Sequence, residues 1–88
     1  MSQVRTRGVR LKTIMYSRAF MQGYKEATNG LPFNPEYDSW KSADQWSYER
    51  GRHYAILSGG HEPPKIGKRI NHNALLNYAE LHYNGEII

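Results

Sequence analysis

Apolar side chains recur at spacings of three and four residues in two long segments of the chain, which is the period of one face of an α-helix. The first segment predicts a helix over residues 13–28, which Thr13 or Ser17 can cap and Asn29-Gly30 ends. Its predicted apolar face consists of Tyr16, Ala19, Phe20, Gly23, Tyr24 and Ala27.

The second segment predicts a helix over residues 42–58. At its start, Ser42 and Gln45 have the spacing of a capping box, in which the two side chains satisfy backbone groups reciprocally. At its end, Gly59-Gly60 supplies the left-handed stop that helices commonly use. Both helix boundaries are therefore predicted from local chemistry.

A third helix is predicted over residues 72–83, with Asn71 as its cap. Its predicted apolar face consists of Leu75, Leu76, Ala79 and Tyr83. No segment alternates apolar and polar residues clearly enough to predict a strand. The predicted fold is all-α, in one domain over residues 1–88: a basic N-terminal arm (1–12), a small helical hairpin (13–58) with a long aromatic and proline-rich connecting loop, an exposed linker (59–70) and a third C-terminal helix (71–85).

The two long helices share one short pattern of an aromatic residue, a glycine and an alanine. The two copies are Phe20-x-x-Gly23-x-x-x-Ala27 and Tyr48-x-x-Gly51-x-x-x-Ala55. Glycine inside a helix costs about 0.5–1 kcal/mol relative to alanine, so glycine at equivalent positions predicts that the helices cross closely there. The alternative is a chance recurrence.

The connection between these helices is long, contains two prolines and carries several aromatic rings. Leu31, Phe33, Tyr37 and Trp40 are predicted to fold back over the hairpin as a lid, which the prolines make less costly to order. Together with the helix pattern, this predicts structural roles for Gly23, Gly51, Ala27, Ala55, Gly30, Pro35, Trp40 and Trp46.

Charge is distributed unevenly along the 88 residues, whose net charge is +4. Residues 1–25 contain six cations and no acid, which favours an anionic partner for this end of the chain; a basic tail that only keeps the protein soluble is the alternative. Cations also interleave with Tyr16, Tyr48 and Tyr54, and aromatic rings beside arginine suit unpaired RNA bases. The predicted binding residues are Arg5, Arg7, Arg10, Lys12, Arg18, Arg50, Arg52, Lys65, Lys68 and Arg69, with Phe33 and Tyr37 in the loop.

No pattern in the sequence predicts catalysis, a cofactor or a metal site. The chain has four histidines and no cysteine, and no two histidines have the helical spacing of a metal pair. There is no glycine-rich phosphate loop and no apolar run of the roughly 20 residues that span a bilayer. The expectation is a cytoplasmic protein that is not an enzyme and has no membrane or metal partner.

Three motifs follow one another in the first two thirds of the chain. They are Ala19-x-x-x-Gly23-Tyr24-x-x-Ala27-x-x-Gly30, then Asn34-Pro35-x-Tyr37, then Tyr48-x-x-Gly51-x-x-x-Ala55. In this order they resemble the ribosome modulation factor family, which includes plasmid and phage small proteins of the ciprofloxacin-resistance-associated group. Two departures stand out: Glu36 is inserted into the family's Asn-Pro-Tyr step, and Tyr48 stands where the family usually has tryptophan.

The resemblance implies a helical hairpin in a small basic protein that binds ribosomal RNA or the ribosome and, like ribosome hibernation factors, promotes silent ribosome dimers in slow growth. The predicted function is therefore a non-catalytic, ribosome-binding or structured-RNA-binding modulator. The alternative is a phage- or plasmid-type module that binds a host protein through the aromatic loop, residues 31–40.

Overall fold

The computed structural model of the chain describes residues 5–6 and 9–87. Four α-helices lie in this range: α1 (Leu11–Tyr16), α2 (Arg18–Thr28), α3 (Ser42–Ser58) and α4 (His72–Tyr83), with one short 3-10 helix (Tyr37–Ser39) in the loop between α2 and α3. Two antiparallel pairs of short strands accompany them: β1 (Arg5–Thr6) with β2 (Val9–Arg10), and β3 (Lys65–Ile66) with β4 (Arg69–Ile70). The prediction of a mostly helical chain is confirmed, whereas the prediction that it contains no strand is wrong.

The helix predicted over residues 13–28 is two helices, because Ser17 has extended backbone angles (φ −67°, ψ 152°). The Ser17 backbone N–H and hydroxyl both donate to the Ile14 carbonyl oxygen, at 3.1 and 2.7 Å, and end α1. The Ser17 hydroxyl oxygen also accepts from the Phe20 N–H at 3.1 Å and caps α2. Ser17 is thus a cap, but it redirects the chain inside the segment that was predicted to be continuous.

The predicted capping box of Ser42 and Gln45 does not form. The residue that precedes α3 is Lys41, whose side chain makes no capping hydrogen bond. The Gln45 amide instead donates to the Tyr37 carbonyl oxygen at 2.9 Å and ties the preceding loop to α3. At α4 the predicted cap is present, since the Asn71 side-chain oxygen accepts from two N–H groups of the first turn.

Helices α2 and α3 cross at the two repeated glycines. A Cβ atom on Gly23 would lie far inside contact distance of the Tyr48 carbonyl oxygen, and one on Gly51 would do the same to the Phe20 carbonyl oxygen. Gly23 thus faces the carbonyl of Tyr48, three residues before Gly51. Gly51 faces the carbonyl of Phe20, three residues before Gly23. The repeat in the sequence corresponds to an approximately twofold crossing, in which backbone packs directly on backbone.

The core that surrounds this crossing is mainly aromatic. The Phe20 ring centroid lies 5.2 Å from that of Tyr78 and 5.9 Å from that of Tyr54, which joins α2, α3 and α4. The other buried apolar residues are Leu11, Ile14, Met15, Tyr24, Tyr48, Ala55, Ala74 and Ile87, and Ala27 and Trp46 are half-buried beside them.

Helix α4 buries the predicted face only in part: Leu75 and Ala79 are half-buried against the core. Ala74 and Tyr78 are fully buried, whereas Leu76 and Tyr83 are 69% and 63% exposed. The Tyr78 ring packs against Phe20 and Tyr54, so the rings of the neighbouring helices decide which side of α4 turns inward. The four apolar residues of the predicted face carry no information about that neighbour.

Two segments predicted to be exposed are parts of the fold. In the predicted arm, Leu11 is fully buried, and Arg5 pairs with Arg10 between β1 and β2; Arg7 lies outside the described residues. In the predicted linker, Pro64 is fully buried and β3 and β4 form a hairpin. Both corrections have one cause: apolar residues in short segments of low periodicity pack against helices that are distant in sequence.

Candidate functional site

The β3–β4 hairpin is built around a two-residue turn, Gly67-Lys68, in which Gly67 has a left-handed φ of 64°. Its base is closed by a hydrogen bond of 2.9 Å from the Asn71 N–H to the Pro64 carbonyl oxygen. Nearby, the Tyr54 hydroxyl donates to the Glu62 carbonyl oxygen at 2.9 Å. The hairpin is therefore fixed to both α3 and the start of α4.

Tyr16, the last residue of α1, joins this hairpin to the N-terminal part of the fold. Its hydroxyl donates to the Lys68 carbonyl oxygen at 2.9 Å. The Lys65 ammonium lies 4.3 Å from the centroid of the Tyr16 ring, within the range of a cation–π contact. The Tyr16 side chain nevertheless remains 47% exposed, so its ring is held in place and is still accessible.

This junction forms an open groove of about 600 Å³, here called the Tyr16 groove. It is lined by Lys12, Tyr16, Ile66, Lys68, Arg69, Ile70 and His72. A second depression of about 490 Å³ shares Tyr16 and Lys12 and adds Arg10, Thr13 and Ser17. Residues of β2, α1 and the β3–β4 hairpin therefore line one continuous surface.

A third depression, of about 440 Å³, adds Arg18, Lys25 and Lys65 from α2 and β3. The cations of these three depressions, here called the basic face, are Arg10, Lys12, Arg18, Lys25, Lys65, Lys68 and Arg69. Within residues 5–6 and 9–87, none of these seven is in an ion pair with a carboxylate. Glu26 is the acid that lines the third depression. Because like charges brought together repel each other, the basic face favours an anionic ligand.

The structure separates two predicted binding residues, Arg50 and Arg52, from the basic face. The Arg52 guanidinium donates to the Leu31 carbonyl oxygen at 2.7 Å and lies 4.0 Å from the Glu26 carboxylate. The Arg50 guanidinium lies over the Trp46 ring, 4.6 Å from its centroid. Arg52 therefore ties the loop and α2 to α3, whereas the Arg50 side chain packs on a ring of its own helix.

Two tyrosines that were predicted to interleave with the cations are also part of the core. Tyr48 and Tyr54 are both fully buried, and burial raises the pKa of Tyr54 to about 12. Tyr16 alone among the three is exposed. Periodicity places all three on helix faces, but it does not show which face meets another helix.

The aromatic loop folds onto Tyr48. The rings of Phe33, Tyr37 and Trp40 lie 5.5, 5.8 and 5.1 Å from the Tyr48 ring, centroid to centroid, and the Tyr37 hydroxyl donates to Glu49. Tyr37 and Trp40 are half-buried in this lid, and Phe33 is 51% exposed.

Gly30 and Pro35 are the other loop residues for which the sequence predicts structural roles. Gly30 ends α2 with a left-handed φ of 73°, as predicted. Pro35 is exposed and lines a small depression of about 200 Å³ with Leu31, Pro32 and Phe33. This is a second, apolar surface, which the loop forms and which shares Glu26 with the third depression.

Glu26 connects the loop to both long helices. Its carboxylate accepts hydrogen bonds from the Tyr48 hydroxyl at 2.5 Å, the Asn34 side-chain amide at 2.9 Å and the Gln22 side-chain amide at 3.0 Å. Burial alone raises the pKa of Glu26, but these hydrogen bonds and the charge of Arg52 outweigh burial and hold the pKa below its ordinary value. The ionised carboxylate therefore stabilises the closed loop.

The stability of the fold is expected to fall in acid through Glu26. A carboxylate whose pKa is lower in the folded state stabilises the fold above its unfolded pKa, and this contribution is lost as the pH falls through the folded value. The free-energy difference between the wild type and Glu26→Gln should be constant near neutral pH and shrink below about pH 4.5, the ordinary pKa. Urea denaturation from pH 3 to pH 7 measures it. A difference that stays constant across this range would contradict the role of the ionised form.

The part of the chain that the structure describes contains no group of three or more His, Cys, Asp or Glu residues positioned to hold a metal ion. The helices in residues 5–6 and 9–87 also lack the combination of length and apolar character needed to cross a membrane.

The sequence does not identify Lys25 of the basic face as a binding residue, nor four residues that line the Tyr16 groove: Tyr16, Ile66, Ile70 and His72. A signal for the β3–β4 hairpin was present, since glycine at the first position of a two-residue turn is typical of a tight hairpin. Its strands, at two residues each, are too short to show alternation.

Comparison of the chain with protein-family models, curated proteins and solved structures finds no match.

Proposed function

We propose that this chain is a small, non-catalytic RNA-binding protein whose basic face contacts the phosphates of structured RNA. The observation that carries the proposal is the assembly of cations from α1, α2 and the β3–β4 hairpin around the exposed ring of Tyr16. Phosphates provide most of the affinity of such surfaces. The resemblance to the ribosome modulation factor family adds the ribosome as the RNA target and the silencing of translation as the outcome.

Two features of the basic face support RNA binding rather than the role of a basic tail that only keeps the protein soluble. Lys12 and Lys68 are far apart in sequence but line the same groove, and Tyr16 fixes the hairpin that carries Lys68. A tail that only raises solubility needs no such fixed arrangement. A fixed set of cations matches a fixed set of phosphates with less loss of side-chain entropy on binding.

Removal of charge from the Tyr16 groove tests the proposal. The variant Lys12→Gln, Lys68→Gln, Arg69→Gln removes three positive charges from exposed side chains. If each contacts one phosphate, the slope of log K against log salt should become shallower by about 2–3, from roughly 0.7–0.9 per contact. Binding to ribosomal RNA at 100 mM salt should weaken by about tenfold or more. Fluorescence anisotropy over 50–200 mM salt measures both quantities, and co-sedimentation with ribosomes measures the cellular target.

A matched control separates the groove from net charge. Lys41→Glu with Ala43→Asp also lowers the net charge by three, at two exposed positions at the start of α3, where acids are favourable to the helix. The control should keep most of the affinity and the wild-type salt slope. Equal weakening by both variants would show that binding depends on overall charge and would contradict the groove as the site.

A second candidate function, binding of a host protein, is favoured by the exposed side chains of Leu31 and Phe33, at 50% and 51%. Both lie on the aromatic loop beside exposed prolines, and aromatic residues are enriched at protein interfaces. Leu31→Ser with Phe33→Ser should abolish capture of a protein partner from nuclease-treated lysate if this function is correct, and should leave binding to RNA unchanged.

A further inference from the structure

Tyr16 is exposed in a protein whose other aromatic residues are largely used for packing. The rings of Tyr48, Tyr54 and Tyr78 are fully buried, whereas the Tyr16 ring is half exposed in the middle of the basic face. Its orientation is set at two places, by the hydrogen bond to the Lys68 carbonyl and by the Lys65 ammonium over the ring. The exposed part of the ring is therefore presented in a fixed position.

The Tyr16 groove combines apolar and cationic residues. Tyr16, Ile66 and Ile70 provide apolar surface, and Ile66 is 65% exposed. Lys12 and Lys68 provide charge in the same groove. Its volume of about 600 Å³ lies in the range of sites that hold small ligands, which is enough for a base with its sugar. A regular duplex presents its phosphates and keeps its base faces stacked, so it leaves the apolar part of the groove unused.

We propose that the Tyr16 groove binds an unpaired RNA nucleotide, whose base stacks on Tyr16 while Lys12, Lys68 and Arg69 contact the flanking phosphates. This inference rests on the proposed function and specifies which part of an RNA the protein recognises. Aromatic rings bind unpaired bases with little sequence preference, since every base has a π-face. The protein is then selective for loops, bulges and single-stranded ends.

The Tyr16 hydroxyl and ring have separate roles that substitution can divide. The hydroxyl positions the β3–β4 hairpin through Lys68, whereas the ring contacts the base. Tyr16→Phe removes the hydrogen bond and keeps the ring, and Tyr16→Leu removes both. A purely structural role predicts that the two variants are similarly impaired, because both lose the hydrogen bond. A stacking role predicts that Tyr16→Leu is much the weaker binder.

The test compares two RNA probes with each form of the protein. The first probe is an unstructured 12-nucleotide RNA with 2-aminopurine at its centre, whose fluorescence falls when the base stacks; the second is the same strand annealed to its complement. The wild type should bind the single strand more tightly and quench its fluorescence, although charge density alone favours the duplex. Tyr16→Leu should weaken single-strand binding by about tenfold or more, since stacking contributes about 1–3 kcal/mol per base, and should abolish the quenching. Tyr16→Phe should retain the quenching and weaken binding by about threefold or less.

The outcomes distinguish this inference from the function on which it rests. Duplex binding as tight as single-strand binding, or equal loss of both by Tyr16→Leu with its circular dichroism unchanged, would overturn the stacking role and leave RNA binding intact. Quenching that survives in Tyr16→Leu would overturn it as well. Failure of the wild type to bind either probe or ribosomal RNA would overturn the proposed function and the stacking role together.

Discussion

Alanine at Gly23 or Gly51 is expected to destabilise the fold by about 3 kcal/mol or more, at the upper end of the cost of overpacking. The added methyl group meets the backbone carbonyl of Tyr48 or of Phe20, so the helices must move apart and lose contacts along their whole length. A loss of this size is a large fraction of the roughly 5–15 kcal/mol that stabilises a typical domain.

The close crossing and helix propensity predict changes in stability of opposite sign. Helix propensity alone predicts that glycine-to-alanine changes stabilise an exposed helix by about 0.5–1 kcal/mol. Thermal and urea denaturation of the two variants should show similar destabilisation, because the crossing is approximately twofold. Gly30→Asn is the control, since nothing lies within 4 Å of a Cβ at Gly30 and asparagine tolerates its left-handed backbone. Neutral behaviour at Gly23 or Gly51 would contradict the close crossing.

Tyr48→Ala is expected to cost about 3–5 kcal/mol, in the range of aromatic truncations in a core. Tyr48 is the ring on which Phe33, Tyr37 and Trp40 pack. Its truncation removes the ring against which the lid packs and also removes side-chain volume from the core. Acrylamide should then quench Trp40 fluorescence more efficiently, measured in a background in which Trp46 is replaced by phenylalanine in both the variant and its reference.

Tyr48→Phe separates the hydroxyl from the ring. The hydroxyl donates to Glu26 and accepts from the Asn34 N–H at 2.9 Å and the Arg52 guanidinium at 3.3 Å. Its removal therefore leaves three polar groups short of a partner and should cost about 1–3 kcal/mol. Tyr83→Ala provides the control for aromatic truncation at an exposed position and should change stability by less than about 0.5 kcal/mol. If Tyr48→Phe matched the wild type in both stability and acid sensitivity, the connection between Glu26 and the loop would be contradicted.

The parts of the fold that the sequence predicts are those in which local chemistry decides the conformation. The end of α3 at Gly59, the glycine that ends α2 and the Asn71 cap depend on residues within one or two turns, and the structure contains all three. The repeat of glycines was informative for a similar reason. A helix-destabilising residue at two equivalent positions has few explanations other than close packing.

The parts that the sequence does not predict depend on partners that are distant along the chain. Leu11 and Ile87 come from opposite ends and are both buried, and neither lies in a segment with clear periodicity. The break at Ser17 is also not predicted, because a serine at that position is compatible with a helix interior. The sequence does not show that its hydroxyl donates to the Ile14 carbonyl.

The candidate site illustrates the same limit. Lys12, Lys68 and Arg69 were identified by charge, but their meeting in one groove depends on the hydrogen bond between Tyr16 and Lys68, 52 residues apart. Arg50 and Arg52 were identified by the same criterion, but Arg52 contacts the loop and Glu26, and Arg50 packs on Trp46. Charge therefore identified the candidates, and the packing of the helices separated the cations of the basic face from those that contact other parts of the fold.

The separation of Tyr16 and Lys68 in sequence also has a consequence for biosynthesis. Ribosomes make the chain from its N-terminus, and the pair α2–α3 can be complete while residues 65–70 are still untranslated. The Tyr16 groove cannot exist until that late segment has emerged and folded back. A nascent chain therefore acquires its cationic groove only after residues 65–70 have been translated, and proteolytic cleavage between α3 and β3 separates the two parts of the groove in one step.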